Sequence, residues 1–206
     1  MGGPEGALAL LGARLVRRAP GLEDRIGRIV EVEAYGGPED RASHARPGPT
    51  ARNAPMFGPP GRAYVYLVYG MHLCLNVVTG PAGEAAAVLI RAVEPLSGIP
   101  GMRAARGATE RTAALSAARL AHGPGLVGAA FSIDRAMNGL DLLDPDAPLG
   151  LDLADPADRP VEPVASERVG IAFAGPPWTT LRWRFVDASS PAVSGPRRAG
   201  RPPAGR

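Results

Sequence analysis

The sequence predicts an α+β fold built around a mainly antiparallel sheet. Its β-branched runs cluster together instead of alternating with helical segments. Two of these runs flank Gly70-Met71, which indicates a β-hairpin. With 206 residues the chain is long enough for one well-buried domain, whereas two full domains would be cramped.

The first third of the chain predicts two strands and a long loop. Ala7–Leu11 is a short apolar helical turn that leads into a strand at Ala13–Arg18. Gly27–Tyr35 is rich in Ile and Val and predicts the next strand. The segment 36–62 is punctuated by Pro and Gly, and a loop of that length is usually functional or mobile.

The middle of the chain predicts the hairpin, a buried strand and the helices. Ala63–Tyr69 and His72–Thr79 are the two hairpin strands, and Ala85–Ala92 is apolar enough to be fully buried. Met102–His122 predicts one or two helices from its Ala-rich spacing. Gly123–Gly139 predicts a turn, a helix and a glycine stop.

The last part of the chain predicts closing strands and a tail. Arg168–Phe173 and Leu181–Val186 have the composition of strands. From Asp187 onward Pro, Gly, Ser, Ala and Arg dominate, which favours disorder. We therefore expect one domain over residues 1–186 and a disordered Arg/Pro/Gly-rich tail over residues 187–206.

Composition excludes several classes of protein. No apolar run approaches the roughly 18 residues of a membrane helix, and the N-terminus lacks the pattern of a signal peptide. Cys74 is the only cysteine, which excludes an internal disulfide and a thiolate metal cluster. The three histidines, at positions 44, 72 and 122, are scattered. We expect a soluble intracellular protein with no metal and no cofactor.

The charged residues indicate a polyanion as one candidate ligand. Between Arg91 and His122 five arginines face two acids, although a solvated arginine-rich surface explains this region equally well. The chain contains no lysine, so all 23 basic residues are arginine. This excludes a lysine Schiff base, and arginine suits phosphate binding and ring stacking.

One segment combines an acid, an aromatic ring and an imidazole. Glu33 and Tyr35 lie two apart in a strand and therefore share a face, and His44 can fold back over them from the loop. A carboxylate beside stacked rings can hold a flat, electron-poor ring and direct water at the atom bonded to it. Glu31 is also on this face, so the two acids resemble a glycosidase pair, unless one is an edge charge.

The hairpin has aromatic residues on both faces. Tyr64 and Tyr66 share one face, and Tyr69 takes the other beside the turn. Tyr69 and Met71 at the tip would form an apolar wedge of the kind that enters DNA from the minor groove. Alternatively, the tyrosines are ordinary packed strand residues.

Two polar residues lie in apolar strands. Asn76 either satisfies a backbone group or lines a site. Arg91 would be costly to bury without a partner, and Glu33 is available. A structural ion pair and an arginine that positions a reacting water are equally compatible with this pattern.

Together these segments resemble the alkyladenine (3-methyladenine) DNA glycosylase family. The resemblance runs from about Gly6 to Val186, with the segments in the family's order. Four blocks carry it: RIVEVEAYGGPEDRASH, RNAPMFGPPGRAYVYLVYGMHLCLNVV, VLIRAVEPLSG and ERVGIAFAG.

The resemblance implies a single mixed domain with a curved, mainly antiparallel sheet and a projecting hairpin. It also implies a base-excision-repair enzyme that flips alkylated purines out of duplex DNA and hydrolyses the N-glycosidic bond, leaving an abasic site. Expected substrates are 3-methyladenine and 7-methylguanine, with hypoxanthine and ethenoadenine as further candidates. The partner would be double-stranded DNA containing damaged purines, bound by a monomer in the cytoplasm (on the nucleoid in a prokaryote).

The resemblance also assigns roles to individual residues. Glu33 would be the general base for water, helped by Arg91 and the main chain at Val169. The pocket for the flipped base would be formed by Tyr35, His44 and Tyr66, with Asn76 as a steric gate against the 2-amino group of guanine. Tyr69, with Met71 beside it, would occupy the gap left in the duplex.

Two alternatives use the same residues differently. A non-catalytic minor-groove or lesion-recognition protein would need Tyr69 but not Glu33. A glycosidase or nucleosidase acting on free small molecules would give Tyr69 and the basic region no function. If the chain is a glycosylase, the absence of lysine and the use of water as nucleophile predict a monofunctional enzyme without lyase activity.

Overall fold

A computed structural model of the chain describes residues 3–107, 109–153 and 161–195. Within them the fold is α+β, with an eight-stranded sheet that curls into a half-barrel and whose strand pairs are all antiparallel. The strands are β1 Arg14–Arg17, β2 Arg25–Gly36, β3 Ala63–Val68, β4 His72–Val78, β5 Ala86–Ser97, β6 Leu149–Asp152, β7 Pro163–Ser166 and β8 Arg184–Asp187.

Strand β2 is the centre of the sheet. The order is β3-β4-β5-β2-β1-β6, and β8 pairs with the second half of β2 while β7 pairs with β8. One edge of β2 therefore pairs with β5, and the other edge pairs first with β1 and then with β8. Glu31 and Glu33 lie where β2 has β5 on one side and β8 on the other.

Short helices pack on the sheet. They are α1 Pro4–Leu10, α2 Ile99–Ala105, α3 Glu110–Ala113 and α4 Pro124–Ala130, with 3₁₀ turns at Ala54–Phe57, Ala117–Arg119, Arg135–Met137 and Ala172–Ala174. Met102 of α2 and Phe131 after α4 are fully buried in the main core. Helix α4 packs closely on β4, since a Cβ added at Gly128 would lie 2.0 Å from the carbonyl oxygen of Leu73.

The structure confirms the predicted fold class and the hairpin, with element bounds that differ by a few residues. The region predicted as one or two helices forms three short pieces, because Gly107 turns the chain with a φ of +83°. Arg103 and Arg106 of the basic region donate to backbone carbonyls of Thr112 and Leu120, so these two side chains brace this turn. The next helix, α4, ends at Ala130, well before the predicted glycine stop.

The predicted strand at Arg168–Phe173 is wrong. Gly170 turns the backbone with a φ of +78°, and a 3₁₀ turn follows at Ala172–Ala174. Arg168 is buried and donates to both oxygens of Asp40, at 2.6 and 3.0 Å. The segment is thus anchored by a side chain and not by a β-ladder.

The predicted disordered tail is wrong for residues 187–195. Asp187 ends β8, and Ala192 and Val193 are buried against Val30 and Ala92. Apolar side chains and an ion pair between Asp187 and Arg28 hold this segment on the sheet. Residues 196–206, the rest of the predicted tail, lie outside the described residues.

None of the helices in the described part of the chain is long and apolar enough to cross a membrane. The same residues include no group of three or more His, Cys, Asp or Glu side chains placed to bind a metal ion.

Candidate active site

A cavity of about 510 Å³ opens beside the hairpin. Its wall is made by the end of β2, the long loop after it, the strands β3 to β5 and the segment after β7. The predicted site residues that line it are Tyr35, His44, Tyr66, Tyr69, Asn76, Arg91 and Val169. The structure thus brings together residues that are up to 134 positions apart in sequence.

Glu33 lies behind this wall with no exposed surface and is held by three donors. The phenol of Tyr35 donates to Oε2 at 2.8 Å, and Arg91 donates to the same oxygen at 3.2 Å. The backbone N–H of Val169 donates to Oε1 at 2.7 Å. All three donors also line the cavity, so the carboxylate lies directly behind the cavity wall.

Arg91 is shared between two carboxylates. Its Nε donates to Glu31 at 2.8 Å, while its terminal nitrogen reaches Glu33. Burial by itself lowers the pKa of Arg91, but the charges of Glu33 and Glu31 outweigh this and raise it. Arg91 therefore forms the ion pair that the sequence allowed, and it also lines the cavity.

Three aromatic rings pack edge to face or in a stack on one side of the cavity. The ring centroids of His44 and Tyr66 are 4.5 Å apart with the planes nearly perpendicular. Tyr64 and Tyr66 stack at 5.5 Å, and the Tyr64 hydroxyl lies 3.0 Å from Nδ1 of His44. Tyr64 was not predicted as a site residue, although its position two before Tyr66 already placed it on the same face of β3.

The environment keeps these rings neutral. Burial first and Glu33 second raise the pKa of Tyr35, and burial also raises the pKa of Tyr66. Partial burial and the charge of Arg52 lower the pKa of His44. Near neutral pH Tyr35 and Tyr66 are therefore neutral phenols, and His44 is an uncharged imidazole.

Asn76 is oriented by the backbone of the neighbouring strand. Its side-chain nitrogen donates to the carbonyl oxygen of Tyr64 at 3.1 Å. The side chain of Asn76 satisfies a backbone group and also lines the cavity. The sequence analysis treated these two roles as alternatives.

The hairpin tip presents its apolar residues to solvent. Tyr69 is 88% exposed and Met71 is 72% exposed. Tyr69 and Gly70 both have positive φ, at 51° and 71°, and are the central residues of a tight turn that is closed by the backbone N–H of Met71 donating to the carbonyl oxygen of Val68. Tyr69 reaches the cavity rim, whereas Met71 does not line the cavity.

The sequence did not reveal two further features of the rim. Arg168 stacks over Tyr35, with its guanidinium carbon 4.8 Å from the ring centroid, and so anchors the segment that carries Val169. Phe173 lines the cavity while 77% exposed. The turn that carries Val169 and Phe173 depends on the long-range ion pair between Asp40 and Arg168. No local sequence pattern encodes that pair, so the turn could not be predicted.

A family model for methylpurine-DNA glycosylase (MPG) matches residues 4–191. The chain belongs to this family. The resemblance carried by the four sequence blocks is thereby confirmed. Membership places the chain among the DNA glycosylases, which are DNA-binding hydrolases of base-excision repair.

Relatives from three organisms extend the family match. Each is named "Putative 3-methyladenine DNA glycosylase". The protein of Anaeromyxobacter dehalogenans is 47% identical over 191 residues, which are 92% of this chain and 80% of that protein. The protein of Nitrosococcus oceani is 44% identical over 92% of this chain and 87% of its own length. That of Methanocella arvoryzae is 47% identical over 92% of this chain and 90% of its own length.

Proposed function

We propose that this glycosylase excises alkylated purines, above all 3-methyladenine and 7-methylguanine, from duplex DNA. It would flip the damaged base into the cavity and hydrolyse the N-glycosidic bond. The observation that carries the proposal is Glu33, a fully buried carboxylate held against an aromatic cavity beside an exposed apolar hairpin tip.

The aromatic lining supports selection for cationic bases. Purines alkylated at N3 or N7 carry positive charge, and electron-rich rings attract cations by about 0.5–2 kcal/mol. Tyr35, Tyr66 and the neutral His44 add no competing positive charge. The cavity volume, about 510 Å³, is within the range of small-ligand sites.

The three donors around Glu33 support a role in activating water. Arg91 and the Val169 N–H fix the carboxylate, leaving it able to accept a proton from water in the cavity. The same negative charge stabilises the cationic sugar as the bond breaks. Because alkylated purines are already good leaving groups, one carboxylate is sufficient for them. Neutral lesions such as hypoxanthine and ethenoadenine also need a proton at the purine, so we expect slower release.

In this proposal Asn76 discriminates between bases, and the hairpin tip supports base flipping. The fixed amide of Asn76 would crowd the 2-amino group of any guanine. We therefore expect 7-methylguanine, which keeps that group but leaves readily as a cationic base, to be released more slowly than 3-methyladenine, and undamaged guanine to be rejected. Flipping costs a few kcal/mol of unstacking and unpairing. Insertion of Tyr69, with Met71 against the groove, would offset part of that cost.

We further propose that the enzyme is monofunctional and acts as a monomer in the compartment that holds the chromosome. The chain contains no lysine that could form a Schiff base with the abasic sugar.

Base release from duplex DNA tests the proposed function. The full chain is incubated with methylated duplex and with duplexes that carry one hypoxanthine or one ethenoadenine. We expect free methylated purines in solution, slower release of the neutral bases, and strands that break only after alkali. Absence of released base would contradict the glycosylase reaction, and strand scission above background without alkali would contradict the monofunctional mechanism.

A further inference from the structure

Glu31 lies beside the site but does not line the cavity. It has no exposed surface, and its Oε1 accepts from Nε of Arg91 and Nε of Arg184, both at 2.8 Å. Its Oε2 accepts from the backbone N–H of Ser194 at 2.6 Å. We propose that Glu31, held by the segment 187–195, is a positioning residue that fixes Arg91 for base release, a role that rests on the proposed function.

The geometry of Arg91 shows why an anchor matters. Glu31 holds its Nε at 2.8 Å, while the contact from its terminal nitrogen to Glu33 is longer, at 3.2 Å. A guanidinium released from Glu31 can rotate and bind both oxygens of Glu33, because paired N–H donors favour bidentate binding of a carboxylate. This bidentate contact would occupy the lone pairs of the Glu33 oxygens that must accept a proton from water. Glu31 thus keeps Arg91 in single contact with Glu33.

The charges around Glu31 support the same conclusion. Burial alone raises the pKa of Glu31, but Arg91 and Arg184 outweigh this and lower it. Two buried carboxylates, Glu31 and Glu33, therefore balance two buried arginines. Removing the charge at position 31 leaves Glu33 as the remaining carboxylate of this set for Arg91.

The segment 187–195 completes the support. Ala192 and Val193 are buried in a cluster with Val30 and Ala92, which places the N–H of Ser194 against Glu31. Arg184, the second arginine on Glu31, also donates to the hydroxyl of Ser166 at 2.8 Å. The segment 187–195 contributes nothing to the cavity wall, but it holds Glu31 and, through Glu31, Arg91, which does line the cavity.

Glu31→Gln tests the role by separating binding from reaction. The variant keeps the shape of the side chain, but its amide cannot accept from both sides. We expect single-turnover base release to slow by roughly 10- to 100-fold, since small misplacements in a site have effects of this size. The Kd for lesion duplex should stay within about twofold of wild type, because Glu31 touches no cavity surface.

Glu94→Gln is the matched control. Glu94 is a partly buried acid of β5 that pairs with Arg28, and neither residue lines the cavity. We expect Glu94→Gln to reduce the free energy of unfolding and to leave the rate per folded molecule unchanged. If Glu31→Gln behaves like Glu94→Gln, the positioning role is wrong.

Ser194→Pro and Ser194→Ala give a second test that does not depend on Glu31→Gln folding. Proline removes the N–H that donates to Glu31, whereas alanine keeps it and removes a hydroxyl for which the structure shows no partner. We expect Ser194→Pro to release the base more slowly with an unchanged Kd for lesion duplex. We expect Ser194→Ala to show the wild-type release rate and the wild-type Kd. Equal rates for both variants would overturn the role of the segment. Failure of wild type to release base would instead overturn the proposed function, and this role with it.

Discussion

Two glutamates on one face of β2 have different surroundings, and this difference decides their roles. Glu31 and Glu33 are both fully buried. Glu31 is surrounded by two arginines and a backbone N–H from the C-terminal segment, so it is not the edge charge that the sequence allowed. The donors to Glu33 all line the cavity. The sequence predicted the pair and favoured Glu33, but the partners of Glu31 come from β5, β8 and beyond.

The charge of Glu31 predicts a pH-dependent contribution to stability. Its pKa is lowered on folding, so its stabilisation is full above the ordinary value of 4.5 and is lost as the pH falls through the folded-state value. At pH 7 we expect wild type to exceed Glu31→Gln by about 3 kcal/mol in free energy of unfolding, as for a broken buried ion pair. Denaturant titration at several pH values measures this difference. It should shrink on acidification below pH 4.5, and a difference that stays constant would contradict the assignment.

The hairpin is the element whose local structure conflicts with its sequence preference. Tyr69 occupies a left-handed turn position with a φ of 51°, where Asn or Gly is favoured, and its ring lies in solvent. A bulky residue in this conformation costs about 1–3 kcal/mol. Strain at an exposed aromatic indicates that the side chain is retained for binding and not for folding.

Tyr69→Asn should therefore separate stability from activity. We expect equal or higher thermal stability, because asparagine tolerates the left-handed conformation. Base release from duplex DNA should fall, since nothing fills the gap left by the flipped base. Thermal unfolding and single-turnover release measure the two effects.

A single-stranded lesion provides the control for Tyr69→Asn. Without a duplex there is no gap to fill, so the variant and wild type should release the base at similar rates. An equal loss of activity on single-stranded and duplex DNA would show that Tyr69 acts on the base in the cavity and not as a wedge.

At the scale of the whole molecule, the sequence predicted the elements that local patterns encode. Alternating apolar residues and the Gly70 turn were sufficient for the hairpin, and the Ile/Val run was sufficient for β2. The turn after Arg168 was missed because its anchor, Asp40, is 128 positions away. The segment 187–195 was missed because its composition resembles a linker, although Ala192 and Val193 are buried by long-range contacts.

The residues of the cavity also divide into those that local patterns predict and those that depend on long-range contacts. Residues in strands, such as Tyr35, Tyr66 and Asn76, were predicted from the resemblance, and in the structure they line one cavity. The supports around them, from Glu31 to Arg168, depend on how distant segments meet. They therefore became visible only in the folded structure.

The central claim is that Glu33 activates water in a cavity that binds a flipped base, and Glu33→Gln tests it most directly. Single-turnover base release and Kd are measured on the same lesion duplex, with Glu94→Gln as a control, since Glu94 pairs with Arg28 and does not line the cavity. We predict that Glu33→Gln binds the lesion as wild type does and releases the base at least about 100-fold more slowly, while Glu94→Gln retains the wild-type rate. Release by Glu33→Gln at the wild-type rate would contradict the account.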